Sequence, residues 1–373
     1  MPPVVQPHTS VEAGTVTDAV GGGVGIGVGV DTHEFRRTSA FSRALRQVLK
    51  LVILPLSAPE RRGAYRLQFD EASRNVEIAA EHLARLLLAH PVKGARVLGV
   101  VRNWLSGYFS AQRSVAGRER YLIYTQLDDR IPFVPEEDTM YTYMLAQIAY
   151  VARELAERVS VDEMGEVASA FIDANRLGTG VFLRHPTVMP RFLDHDRLSL
   201  KTVQRADEPL NCCPSLHIAY SILLDNIAEG VLAPRRGRRE VFDSIRYSTI
   251  RMFNSVLYTK QHSLIDVGFG ILCARLVFER RFAARLGRPF NDFVSVFDTL
   301  RGQHPHIPYD EIAAIYAESA RLHRQTGTLC GAVGAYLERH AFARVRHDDD
   351  IRRSYFDTEA RRLMVRGAEA TPV

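Results

Sequence analysis

Ser255-Val-Leu-Tyr-Thr-Lys-Gln-His-Ser-Leu-Ile-Asp266 is the stretch around which the chain is organised. His262 and Asp266 stand four residues apart, and the segment runs on apolar through Val267, Phe269, Ile271 and Leu272. On a helix that spacing puts both side chains on one face. A carboxylate there holds one imidazole nitrogen and leaves the other basic and aimed outward, as a nucleophilic or general-base histidine needs. His and Asp at this spacing also arise as ordinary surface pairs, so the weight of the reading comes from two segments upstream.

The first is Arg184-His-Pro-Thr-Val-Met-Pro-Arg191-Phe192, two arginines separated by six residues across a proline-rich loop. The second is Cys213-Pro-Ser215-Leu-His217, where proline and serine precede a predicted helix start. Backbone N–H groups and a serine hydroxyl at such a start face an anion readily. With Lys260, the three segments supply three cations, a helix N-terminus, a hydroxyl and two histidines. That inventory fits a tetrahedral oxyanion: donors around its equatorial oxygens, one histidine in line to attack, one to protonate the leaving group.

The 373 residues allow one large domain or two smaller ones. With 46% apolar and 24% charged residues the composition is that of a soluble globular protein. A net charge of +5 suits an anionic substrate or a membrane surface, although the run Arg235 to Arg239 reads as a solvated loop. No zinc-finger spacing or aromatic strand motif points to nucleic acid. Cys212, Cys213, Cys273 and Cys330 form neither a metal pattern nor a disulfide framework. No secretory signal is recognised, and the best apolar run, Met140 to Ala152, is too short to span a membrane. The expectation is a cytoplasmic protein without a transmembrane segment, for which peripheral membrane contact stays open.

Residues 1–35, with Gly21 to Gly29, read as a flexible low-complexity tail. Helical periodicity begins near Phe41 and recurs over Ser73 to His90, Val97 to Ser110, Thr139 to Val159 and Val161 to Asn175. Trp104 and Tyr108, one turn apart, have core packing as their default role. Gly178 to Ser199 is loop-like. Ser215 to Leu232, Phe242 to Leu257, His262 to Leu286 and Asp310 to Phe342 are further helical stretches, and 346–373 is a polar tail. His304-Pro-His306 and the Asn291 to Asp298 segment, which resembles a magnesium motif of terpene cyclases, are read as a loop and a helix turn.

At its three segments the chain resembles the type 2 phosphatidic acid phosphatase (PAP2) superfamily, which includes vanadium haloperoxidases and bacterial acid phosphatases. The family pattern is Lys-x6-Arg-Pro, then Pro-Ser-Gly-His, then Ser-Arg-x5-His-x3-Asp. Here the segments read Arg184-x6-Arg191-Phe192, Pro214-Ser215-Leu216-His217 and Ser255-Val256-x5-His262-x3-Asp266, in that order. Valine holds the third segment's arginine position, and Lys260 stands as a substitute cation. The Tyr-Thr-Lys-Gln-His wording and the Leu127 to Pro135 loop are similar to the inositol phosphosphingolipid synthase-like branch. The resemblance covers about Tyr121 to Phe278.

The resemblance implies an all-α fold, one helical bundle over 36–345 with its motif core at 121–278. It also implies roles. His262 attacks phosphorus and forms a phosphohistidine, Asp266 orients it, and His217 protonates the leaving oxygen and then activates water. Arg184, Arg191, Ser215 and Lys260 hold phosphate oxygens. No metal is required, magnesium is not expected, and vanadate fits only as a phosphate mimic. Most lipid-phosphate relatives span membranes, whereas here Asp225, Asn226, Glu229, Arg275, Glu279 and Arg280 interrupt the corresponding helices. An amphiphilic substrate such as an isoprenoid diphosphate follows. The alternatives are a cyclase that draws off diphosphate, a vanadium haloperoxidase, and a non-catalytic lipid-phosphate binder.

Overall fold

The computed structural model describes residues 62–192, 195–207, 209–232 and 239–345. The N-terminal tail, the helix read from Phe41, most of the arginine-rich loop and the C-terminal tail lie outside the described residues.

The described chain is mostly helical. Helices α1 (Arg62–Ala89) and α2 (Pro91–Val115) form a hairpin, with Pro91 in the first turn of α2, where its missing N–H costs nothing. Strand β1 (Arg120–Leu122) and the short α3 (Gln126–Arg130) follow. Helix α4 (Asp138–Arg158) packs on α1 and α5 (Val161–Arg184) on α2. Helix α5 starts at a capping box: Ser160 Oγ accepts the Glu163 amide and Glu163 returns a carboxylate to the Ser160 amide. Then come β2 (Thr187–Val188), α6 (Leu198–Ala206), α7 (Leu216–Leu232) and α8 (Arg239–Tyr258). Helix α9 (Leu264–Phe278) leads through a π turn, Glu279–Ala283, into α10 (Ala284–Leu286). Helices α11 (Phe297–Gln303), α12 (Tyr309–Thr326) and α13 (Leu329–Arg339) and strand β3 (Arg344–Val345) complete the described chain.

Helix α9 is apolar on every side, so only a fully buried position satisfies it. It packs on α7, α12 and α5, and α7 is in turn flanked by α8, α4 and α5. Close approach of α9 to α7 depends on Gly270, where a Cβ would lie 2.8 Å from the Ser215 carbonyl oxygen. At 15 residues α9 is about 22 Å long, short of a bilayer's apolar thickness. No helix among the described residues is long and apolar enough to cross a membrane.

Two expectations need correction. The helix expected to end near Asn175 continues to Arg184, through Gly178. That glycine is a packing position, because a Cβ there would meet Leu216 of α7 at 2.8 Å. A small sheet of order β2-β1-β3, parallel between β1 and β2 and antiparallel between β1 and β3, was not expected. Its strands are two or three residues long and offer no alternation to read.

Candidate active site

Three chain segments meet at the N-terminal ends of α7 and α9. The segment before α7 is tied to the sheet, with Thr187 bridging to Asn211 and its hydroxyl accepting the Cys213 amide at 3.0 Å. It is also tied to α9, since the Ser215 amide donates to the Asp266 carbonyl at 2.9 Å. Ser215 Oγ faces the Ile218 amide at 3.4 Å, so this hydroxyl and amide are committed to starting α7. His217, one residue into α7, is thereby held against the start of α9.

Asp266 and His262 do not share a helix face. Helix α9 begins only at Leu264, and the pair is built by its capping box. Asp266 Oδ2 accepts the Ser263 amide at 2.9 Å and faces His262 Nδ1 at 3.2 Å. His262 Nε2 lies 3.2 Å from His217 Nδ1, which also lies 3.4 Å from the Tyr141 hydroxyl. A chain therefore runs Asp266, His262, His217, Tyr141. With Nδ1–H of His262 on Asp266 Oδ2, Nε2 is the basic nitrogen and accepts from His217, the tautomer a nucleophile requires.

Burial sets the charge states. Asp266 is fully buried, its Oδ1 has no hydrogen-bond partner among the described residues, and its carboxyl is pushed up to about 8 despite the Ser263 amide and hydroxyl. Burial, reinforced by Arg191, pushes His262 down to about 3. Burial, then His262 and Arg191, holds His217 well below its usual value. Both rings are neutral at pH 7, ready to accept a proton or attack.

The loop carrying His262 is fixed from both ends. At the end of α8 the Val256 carbonyl accepts the Gln261 and His262 amides at 3.0 and 3.1 Å. Lys260 takes a left-handed backbone, φ 52°, which costs a non-glycine residue about 1 kcal/mol. Its ammonium offsets that cost by donating to the Asp128 carbonyl and lying 5.6 Å from the Tyr124 and Phe192 rings. Asp128 Oδ1 accepts the Leu264 amide at 2.8 Å and so caps α9 from outside. No role at the site was read for Asp128 from the sequence, although the Leu127 to Pro135 segment that carries it was noted.

The cations divide. Arg191 is buried beneath the histidines, donating to Gln261 Oε1 at 2.5 Å with its other nitrogen 3.7 Å from Asp207 Oδ2. Asp207 also accepts the Tyr108 hydroxyl. Arg184 does not reach the histidines. It ends α5 and lines a separate polar depression with Arg118, Glu119, Glu338 and Arg344, because helix continuity carries it away before the chain turns inward. Lys260 holds the loop, as described, and does not line the cavity at the histidines.

That cavity, of about 210 Å³, has His217, His262, Tyr141, Asn211 and Asp207 at one end. Its walls are otherwise largely apolar, with Trp104, Tyr108, Phe109, Phe182 and Tyr220 facing in. Trp104 and Tyr108 are thus cavity walls as well as packing residues. A second apolar cavity, of about 170 Å³, adjoins it across Trp104, Met144, Leu145 and Tyr220 and runs between α2, α4, α5 and α7. The other histidine pair read in the sequence is elsewhere: His304 Nδ1 pairs with the Tyr258 hydroxyl at 3.0 Å. No family model, curated protein or solved structure matches the chain.

Proposed function

We propose that this protein is a PAP2-type enzyme that hydrolyses an amphiphilic phosphate or diphosphate, with an isoprenoid diphosphate as the best-fitting substrate. The observation that carries the reading is the Asp266–His262–His217 chain at the polar end of an otherwise apolar, aromatic-lined cavity. A head group enters between the two rings, which at 3.2 Å must part to admit it. His262 Nε2 attacks phosphorus while Asp266 holds the ring through Nδ1–H; His217, neutral until it takes up a proton from the incoming phosphate head group, returns that proton to the leaving oxygen. His217 then draws a proton from water, which releases phosphate from His262. Arg191, buried behind Asp207 and close enough to lower both histidines, supplies positive charge for the phosphoryl group. The apolar tail lies along Trp104 toward the second cavity. Magnesium has no step to perform in this scheme.

A second reading, cyclisation of the prenyl cation after loss of diphosphate, is favoured by the ring walls alone. The faces of Trp104, Tyr108 and Tyr220 attract a cation in a desolvated cavity. Purified protein incubated with geranyl, farnesyl and geranylgeranyl diphosphates, with and without magnesium, separates the two. Hydrolysis yields inorganic phosphate with linear prenyl phosphate or alcohol, and His262→Ala abolishes it. Cyclic hydrocarbon with released diphosphate makes the protein a cyclase, and turnover of none of them rules out the isoprenoid substrate.

A further inference from the structure

Among the described residues no element covers the outer face of α2, and its chemistry is that of a membrane-docking helix. Leu98, Val101 and Leu105 fall on one stripe by helical spacing and are 42%, 39% and 41% exposed. Leu145 of α4 continues the stripe at 43%, and at the tip of the α1–α2 hairpin Leu88 and Val92 are more exposed still. Soluble surfaces rarely keep this many large aliphatic side chains together without use. The charge on the same helix is one-sided: Lys93, Arg96, Arg102 and Arg113 are its ionised residues, and it contains neither aspartate nor glutamate. Lys93 is engaged with the Ala156 carbonyl at 2.6 Å, while Arg96, Arg102 and Arg113 are exposed. By helical spacing Arg102 and Arg113 fall within about a quarter turn of that stripe, and an aliphatic stripe flanked by arginines on a helix without a single acid complements an anionic lipid surface.

The stripe also meets the interior. Val101 and Leu145 are at once exposed and part of the wall of the second cavity, and Leu145 lines the first as well. Whatever is seated on α2 therefore faces the apolar route that ends at His217 and His262. We infer that α2 docks the protein on the anionic face of a lipid bilayer. The amphiphile enters from that bilayer between Val101 and Leu145; only this entry route rests on the function proposed above.

Docking is tested without substrate, by flotation of the full chain with phosphatidylcholine vesicles and with vesicles that also contain phosphatidylglycerol. Binding is expected to the anionic vesicles only and to weaken as salt is raised. Arg102→Gln with Arg113→Gln is expected to lower partitioning about thirty-fold, two arginines at about 1 kcal/mol each. Leu98→Ser with Leu105→Ser is expected to abolish it, while His262→Ala leaves it unchanged. Equal binding to both vesicle types, or no binding to either, overturns the inference. So does a dimer in solution that Leu98→Ser and Leu105→Ser dissociate, since the stripe then seats a second copy. If vesicles bind the protein but no prenyl diphosphate is turned over, docking stands and the proposed reaction falls.

Discussion

Replacing Asp266 by asparagine removes the one ionisable oxygen that holds His262, and the pH dependence of stability should register it. In the unfolded chain the two groups titrate near 3.8 and 6.5; in the folded protein they titrate at about 8 and about 3. Between pH 4 and 6.5 both states therefore bind one proton across the pair, and the pair adds no slope. Above 6.5 the unfolded pair has lost its proton while the folded pair keeps it until about 8. Stability is thus lost as pH rises through that window, because the folded state binds more protons. At about 1.36 kcal/mol per pH unit the loss is about 2 kcal/mol. Asp266→Asn has no such proton, so its stability relative to the parent should improve by about 2 kcal/mol between pH 6.5 and 8. Urea unfolding of both proteins across that range measures the difference. Parallel curves would show that Asp266 is ionised when buried and would refute the charge assignment. Turnover tests the same contact separately: asparagine no longer fixes the Nε2-basic tautomer, and kcat should fall by about 10²–10⁴.

Trp104 stands between the two apolar cavities, so Trp104→Ala joins them. Its kcat/KM should shift toward geranylgeranyl over farnesyl diphosphate by tenfold or more, since each buried CH₂ contributes about 0.8 kcal/mol; an unchanged ratio removes Trp104 from the tail path. Gly270→Ala drives a Cβ onto the Ser215 carbonyl at 2.8 Å and onto Ile218 Cβ at 3.0 Å. It should cost about 1–3 kcal/mol by thermal unfolding and lower activity more than stability predicts, because it parts His217 from His262.

The helices and the histidines could be read from the sequence because both rest on short-range rules. Helical periodicity marked α4, α7 and α8 to within a few residues. The Pro-Ser-x-His and His-x3-Asp spacings named the groups that meet at the site. How they meet could not be read. The four-residue spacing of His262 and Asp266 suggested a helix face, but Ser263 with Asp266 makes a capping box and leaves His262 outside α9. The spacing of Arg184 and Arg191 suggested a clamp, yet six intervening residues include a helix end and a strand that send the two apart. Lys260 was read as a phosphate-binding cation, whereas its left-handed backbone and its bond to the Asp128 carbonyl engage it in holding the loop. Asp207 and Tyr108 left no local pattern: Asp207, just past α6, meets Arg191 across 16 residues of sequence, and Tyr108 of α2 meets Asp207 across 99.

The most direct measurement is the identity of the covalent intermediate. Farnesyl diphosphate radiolabelled at phosphorus is mixed with the parent and with His217→Ala, quenched in alkali within one turnover and mapped by peptide. The account predicts label on the peptide containing His262, transient in the parent and accumulating in His217→Ala, where no base activates water. Phosphate release without label on His262, or label on another residue, would contradict it.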